Sequence, residues 1–388
     1  MKYIPYGRHS IDNRDIRNVI KMLASDWITQ GPRVKEFENA LAKYCKVKYA
    51  VAVSSGTAAL HLACLTAGLK RGDEAITSPI TFLATPNSVL YTGATPVFAD
   101  IDYRTVNIDL WQIERKITKK TKAILPVHFA GLPADMEKIY NIAKKNRLIV
   151  IEDACHALGA KYKADGKWIK VGSCRHSDMA VFSFHPVKII TTGEGGAITT
   201  NNKQFYEKLK ALRNHGVYRD AATGKKGLWY YEMRNLGFNY RITDFQCALG
   251  ISQLKKINAF IKRRKQIAHR YNEFFKDKGG ITVPFIDDNA SSSWHLYALK
   301  VNYRYFGVSR TQLMHALMQH NIGTQVHYIP VYRQPFYKAR FHLDRSDFPQ
   351  SESYYERALS IPIFAALADN QIDYIIHRFR ALIGRLKK

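Results

Sequence analysis

For its length the chain is poor in acidic residues and in cysteine. Its 388 residues hold 32 Asp and Glu against 59 Lys and Arg, a formal charge of +27 at pH 7. That balance favours anionic partners such as nucleotides, nucleotide sugars or nucleic acid, but it bears on association and solubility rather than on chemistry. The basic residues are dispersed, with one denser run at Lys262 to Lys265, and no homeodomain, zinc-finger or RNP signature accompanies them. A solvated basic surface is the simpler reading, and no nucleic-acid partner is expected. The five cysteines (Cys45, Cys64, Cys155, Cys174, Cys247) are odd in number and never at Cys-x-x-Cys spacing. They argue against a disulfide framework or a zinc site and fit a reducing compartment.

Other absences narrow the field further. The residues MKYIPYGRHS contain no apolar leader. The uncharged stretch from Tyr49 to Leu69 is interrupted by Ser54, Ser55, Gly56 and Thr57, where a membrane span is apolar. It reads as strand, turn and helix, so the expectation is a cytoplasmic protein with no membrane partner. Walker A, G-x-G-x-x-G and H-E-x-x-H patterns are all missing. Their absence removes the commonest nucleotide-hydrolysis, dinucleotide and zinc-protease readings, and no metal is expected.

What is present is an ordinary hydrophobic content of 46%, enough for a substantial core. Helical spacing opens the chain at Ile16, Val19, Ile20 and Leu23 and again at Phe37, Leu41 and Tyr44. Short apolar runs then alternate with helical patterns. Tyr49–Val53, Ala75–Thr77, Thr95–Ala99, Ala123–Val127 and Leu148–Ile151 read as strands, with helices between them. The alternation predicts a largely parallel sheet covered by helices. Helical spacing dominates from Asp244 to Phe275; a strand at His295–Val301 and helices at Arg310–His320 and Asn370–Leu386 follow. The expected division is a large domain over 1–254 and a smaller C-terminal α+β domain over 255–388.

The most informative stretch is SFHPVKIITTGEGG, from Ser183 to Gly196. It joins two apolar runs, Met179–Phe182 and Ala197–Thr200, and places Lys188 just past a strand and before a glycine turn. Taken alone, Lys188 reads as a surface lysine. Its surroundings along the chain suggest covalent work, because a lysine amine forms a Schiff base with a carbonyl or with pyridoxal phosphate. Asp153 ends an apolar strand, where a carboxylate can pair with a protonated pyridine nitrogen. His156 is placed either to reach that ring's phenolic oxygen or to serve as a structural histidine. Gly56 and Thr57 open a helix after a strand, which makes either an anion site or a plain capped turn. Phe82 offers a face to a planar cofactor, or a core side chain.

Together these motifs resemble the DegT/DnrJ/EryC1/StrS family of sugar aminotransferases. The resemblance runs through ITQGPRVKEFE, VSSGTAALHLA, SPITFLATPNSVLYTGATPVFADID, IEDACHALGA, SFHPVKIITTGEGGAITT, RNHG and GFNYRITDFQCALGISQLKK, nearly the whole chain. It implies aminotransferase fold type I: an α/β domain with a mainly parallel seven-stranded sheet flanked by helices, plus a smaller C-terminal α+β domain. It implies pyridoxal 5'-phosphate as cofactor, joined to Lys188, with Asp153 on the pyridine nitrogen and Phe82 on the ring. Gly56, Thr57 and Ser183 would hold the phosphate, and His156 would lie near the phenolic oxygen. Asn239 matches an asparagine that reaches the phosphate from a partner subunit, which implies a homodimer with shared active sites. His327 and Tyr328 match a region lining the sugar-nucleotide site. Family members that carry histidine in place of the lysine dehydrate sugars; Lys188 disfavours that chemistry.

The last of those motifs, with HPVK and GTQVHYIPVY, resembles the branch acting in pseudaminic acid biosynthesis. That branch implies transfer of an amino group from L-glutamate to C4 of a UDP-linked 4-keto-6-deoxy-N-acetyl-hexose, giving UDP-4-amino-4,6-dideoxy-N-acetyl-β-L-altrosamine. Two alternatives stand beside it. One is another nucleotide-linked keto sugar, dTDP- or GDP-linked or a 3-keto sugar. The other is a non-catalytic regulator or nucleic-acid binder.

Overall fold

The computed structural model describes residues 1–219 and 221–385. Seven strands form its central sheet: β1 (Tyr49–Val53), β2 (Glu74–Thr77), β3 (Thr95–Phe98), β4 (Thr121–Leu125), β5 (Ile149–Asp153), β6 (Met179–Ser183) and β7 (Gly196–Thr200). Their order is β1-β7-β6-β5-β4-β2-β3. β7 runs antiparallel to both of its neighbours, and the other pairings are parallel. Successive strand residues point to opposite faces. Ala50 and Ala52 of β1 therefore join one core with Phe37, Leu41 and Ile139, while Val51 and Val53 join another with Leu60, Leu62 and Leu209. With helices on both faces, the strands are mainly apolar instead of alternating. The expected architecture of a mainly parallel, helix-covered sheet is what the chain adopts.

A smaller α+β unit follows. Tyr297–Val301 pairs antiparallel with Ile281–Thr282 on one side and with Ala358–Ile361 on the other. Helices Ile257–Phe275, Arg310–Gln319 and Asp369–Arg385 accompany this sheet, around a core that includes Tyr271, Phe275, Leu299, Leu317 and Phe379. Ile4, from the other end of the sequence, is buried in the same core. The final residue of the helix expected over Asn370–Leu386, Leu386, lies outside the described residues.

Three local features differ from the sequence expectations. The helical stretch from Asp244 to Phe275 is two helices, Asp244–Leu254 and Ile257–Phe275. At the break, Lys256 turns its amine onto Asp12 and Asp15. The second helix starts in the first core, at Ile257 and Ile261, and ends in the C-terminal one, at Tyr271 and Phe275. The first helix, Asn13–Leu23, buries Asp15 and Met22, whereas Ile16, Ile20 and Leu23 are 48, 59 and 57% exposed. A polar network decides its orientation: the Asp15 carboxylate accepts from Gln253 Nε2 at 2.7 Å and from Lys256 Nζ at 2.5 Å. A hairpin, Lys161–Ala164 with Lys167–Lys170, turns through Asp165 and Gly166, both at positive φ. An Asp-Gly pair between extended runs is a known hairpin signal.

Among the described residues no helix is long and apolar enough to cross a membrane. No group of three or more His, Cys, Asp or Glu side chains among them is placed to hold a metal ion.

Gly131 ties the two units together at φ +95°, where an added Cβ would lie 2.5 Å from Ser293 Oγ and 3.0 Å from the His156 carbonyl oxygen. Gly131→Ala should lower stability by roughly 2 kcal/mol or more, from strain and overlap combined. Gly68, at φ +83°, has no atom within 4 Å of its missing Cβ. Gly68→Ala should cost only about 1 kcal/mol of backbone strain. Chemical denaturation of both variants checks the order.

Candidate active site

Strand β5 places its last residue, Asp153, at the carboxyl edge of the sheet, where open α/β sheets bind ligands. Its carboxylate is buried and fixed from two sides. Thr85 Oγ1 donates to Oδ2 at 2.6 Å, and the Cys155 N–H donates to Oδ1 at 3.1 Å. Thr81 Oγ1 lies 2.9 Å from Thr85 Oγ1 and extends the chain of hydroxyls.

Beside it, the helix Gly56–Thr66 starts directly after β1, capped by Ser55 Oγ, which accepts from the Ala58 N–H at 3.0 Å. The N–H groups of Gly56 and Thr57 belong to the first turn, which has no intrahelical acceptors and favours an anion. Gly56 also sets the spacing: a Cβ there would sit 2.8 Å from Ser183 Cβ. Only a glycine lets this helix start approach the end of β6.

A cavity of about 540 Å³ opens between these elements and the C-terminal unit. Lys188 lines it, and its Nζ makes no hydrogen bond to another described residue. The side chain is half-buried in the cavity wall. Burial lowers the amine below the ordinary lysine pKa, while Cys155 and Asp153 act in the opposite sense. Three histidines surround this amine without adding charge. Burial, and secondarily the Lys188 charge, hold His156 well below the ordinary histidine range and His327 down to about 3. Burial and then the neighbouring His156 do the same to His295. His156 Nε2 lies 3.1 Å from the Tyr328 hydroxyl, whose own pKa burial raises. His156 Nδ1 is buried with no partner, as is His295 Nδ1. The two rings are 4.4 Å apart.

Gly56, Thr57, Phe82, Asp153, His156, Ser183, Lys188, His327 and Tyr328 all border this one cavity. Phe82 is 58% exposed and its ring stands 6.3 Å from that of Tyr328, so it is not a core side chain. Asn239 is exposed, pairs with Asn214 through the backbone, and does not line the cavity. The sequence reading passed over Tyr6, Cys155, Glu194, Gln325 and Gln334, which share the wall, and Thr85 and His295 behind it. No local signal identifies Thr85, because its partner is 68 positions away.

Residues 9–380 match the DegT/DnrJ/EryC1/StrS aminotransferase family. The chain belongs to it. It is similar to the spore coat polysaccharide biosynthesis protein SpsC of Bacillus subtilis, 41% identical over 98% of this chain and 97% of that one. It is 39% identical to a UDP-4-amino-4,6-dideoxy-N-acetyl-β-L-altrosamine transaminase of Campylobacter jejuni, over 99% of each chain. A solved structure of the sugar aminotransferase Spr1654 from Streptococcus pneumoniae, in its PLP form, superposes with a TM-score of 0.90 at 30% identity, covering 99% of both chains. The chain is a pyridoxal-phosphate-dependent aminotransferase of this family.

The residues fit that cofactor. The cavity offers an amine for its aldehyde, a fixed carboxylate for its pyridine nitrogen and a helix start with Ser183 for its phosphate. The gap at Gly56 would be filled by any Cβ, and His156 Nδ1 is an unsatisfied atom that a ligand can engage. Gly56→Ala should therefore weaken retention of pyridoxal phosphate by roughly tenfold or more, through loss of charge-assisted contacts. Equilibrium dialysis with absorbance detection measures this.

The buried histidines set a pH dependence as well. His327 titrates near 6.5 when unfolded but at about 3 when folded, so between those values the unfolded chain binds the extra proton. Stability is then complete above pH 6.5 and falls as the pH drops towards 3, by up to about 1 kcal/mol per pH unit for such a group. Denaturation midpoints of the apoprotein from pH 7 to pH 4 should fall less steeply in His327→Asn than in the wild type.

Proposed function

We propose that this cavity moves an amino group from L-glutamate to the ketone of a nucleotide-linked 6-deoxy sugar in two half-reactions. The observation that carries the reading is the placement of the Lys188 amine, the Asp153 carboxylate and the Gly56–Thr57 helix start around one cavity. Bound through Lys188, pyridoxal phosphate supplies an electron sink for the carbon that loses its proton. With its nitrogen free, Lys188 Nζ would be the base. Its lowered pKa raises the neutral fraction available to take a proton from the donor α-carbon. In the second half-reaction the same nitrogen delivers a proton to the sugar carbon that receives the amine.

Asp153, held by Thr85, would keep the pyridine nitrogen protonated, and Phe82 would cover the ring face. Gly56, Thr57 and Ser183 would hold the phosphate. His156 would sit by the phenolic oxygen, with Tyr328 fixing its orientation. His327 and Tyr328 would face the sugar nucleotide, whose nucleotide part positions the ketone without joining the bond changes.

We assign Asn239 to the neighbouring subunit's phosphate site, in a homodimer. In its favour, Asn239 follows a segment in which Leu228, Trp229 and Leu236 are 98, 76 and 78% exposed, an apolar surface suited to burial against a second copy.

For the sugar we adopt the broader reading, a nucleotide-linked keto sugar. Relatives at 41 and 39% identity are named for different roles, so similarity alone does not select the UDP-linked altrosamine product of the pseudaminic acid pathway. That UDP sugar is the first member of the panel to assay, ahead of dTDP-, GDP-linked and 3-keto sugars.

Purified protein supplied with pyridoxal phosphate should be yellow, and L-glutamate alone should bleach the band. Lys188→Ala should lower turnover by roughly a thousandfold or more, as expected for loss of a proton-transfer group that also anchors the cofactor. Undiminished amino-sugar formation by that variant, followed by mass spectrometry, would refute the assignment.

A further inference from the structure

The segment over residues 1–10 spans both units. Ile4 is fully buried in the C-terminal core, with its N–H bonded to the Asn321 carbonyl and its carbonyl to the Gly323 N–H, each at 2.8 Å. Two residues on, the Tyr6 carbonyl accepts from the Ile363 N–H at 3.1 Å. Gly7 then lies against Val187, so close that a Cβ on it would stand 3.4 Å from Val187 Cβ. Val187 is the neighbour of Lys188. The strap is thus anchored by the C-terminal unit and laid along the lysine segment, with Tyr6 held between them in the cavity wall.

Nothing in the chemistry described above uses Tyr6. Its ring centroid is 5.2 Å from that of His327. Its hydroxyl makes no hydrogen bond to another described residue, and burial raises its pKa so that it remains a neutral donor. His327, Tyr328 and His156, all neutral, share its wall, with the charged Lys188, Asp153 and Glu194 elsewhere in the same cavity. The two carboxylates of glutamate call for guanidinium or ammonium partners. A neutral phenol beside neutral imidazoles instead matches the hydroxyl and amide groups of a sugar.

We infer that Tyr6 contacts the keto sugar through its hydroxyl and ring, and that it serves the sugar half-reaction and not the donor half-reaction. This rests on the function proposed above. Because the two half-reactions are separable, the assignment has a readout that a structural role would not move.

The test compares the wild type with Tyr6→Phe, each loaded with pyridoxal phosphate. Bleaching of the cofactor band by L-glutamate alone reports the donor half-reaction. Steady-state assays with UDP-, dTDP- and GDP-linked 4-keto-6-deoxy sugars report the other. Tyr6→Phe should bleach at the wild-type rate, while KM for the accepted sugar rises roughly five- to tenfold, as for one lost hydrogen bond. Tyr6→Ala, which also removes the ring, should raise KM further. A wild type that bleaches and aminates a sugar, with an unchanged KM in Tyr6→Phe or an equal loss in both half-reactions, overturns this inference alone. A wild type that aminates no sugar nucleotide overturns the functional reading and this inference with it.

Discussion

A partly desolvated amine at the edge of a buried sheet is the constraint on which the rest of the structure depends. A lysine in water is almost wholly cationic at neutral pH and is no base. Burial shifts Lys188 towards the neutral form, and the nearby Asp153 carboxylate pulls against that shift. Burial is the larger influence, and it outweighs the opposing pull. Cys155 is held as a thiol by burial and by Asp153, and His156, His295 and His327 are held neutral. Asp153 is thereby left as the carboxylate beside the amine, available to a cationic ring nitrogen.

The sheet makes this arrangement rigid. Alternation along β5 sends Asp153 to the cavity and Glu152 to the other face, where Glu152 is fully enclosed. There His128 Nδ1 accepts from the Ala134 N–H at 3.0 Å, which leaves Nε2 to donate to Glu152 at 2.8 Å. Ser177 Oγ donates to the other Glu152 oxygen at 2.5 Å. The C-terminal unit is held just as firmly. Arg264 is buried without a carboxylate partner among the described residues and donates to the carbonyls of Trp294, His295 and Ile363 at 3.0, 3.2 and 3.0 Å. That cage fixes the turn carrying His295 against His156, so the histidine layer is set by both units together.

Much of this was legible in the chain. Apolar runs of four or five residues, alternating with helical spacing, reveal the sheet because strands buried on both faces are mainly apolar. The residue types around Lys188 reveal a chemistry because a lysine, a strand-end carboxylate and a glycine at a helix start rarely serve one purpose by accident. Orientation was less legible. The stripe Ile16, Ile20 and Leu23 marks a helix but faces outwards, since Asp15 is drawn inwards by Gln253 and Lys256, over two hundred positions away. Thr85, His295 and Tyr6 escaped notice for the same reason: their roles are set by contacts between distant segments. Asn239 illustrates the opposite case, a position read from resemblance whose proposed partner is another copy of the chain.

One measurement addresses the central claim directly. The protein is incubated with pyridoxal phosphate, reduced with borohydride, digested, and the modified lysine located by mass spectrometry. The account predicts the phosphopyridoxyl mass on the peptide carrying Lys188, near one per chain, although the chain has 34 lysines. A label spread over surface lysines, or concentrated on any residue other than Lys188, would contradict it.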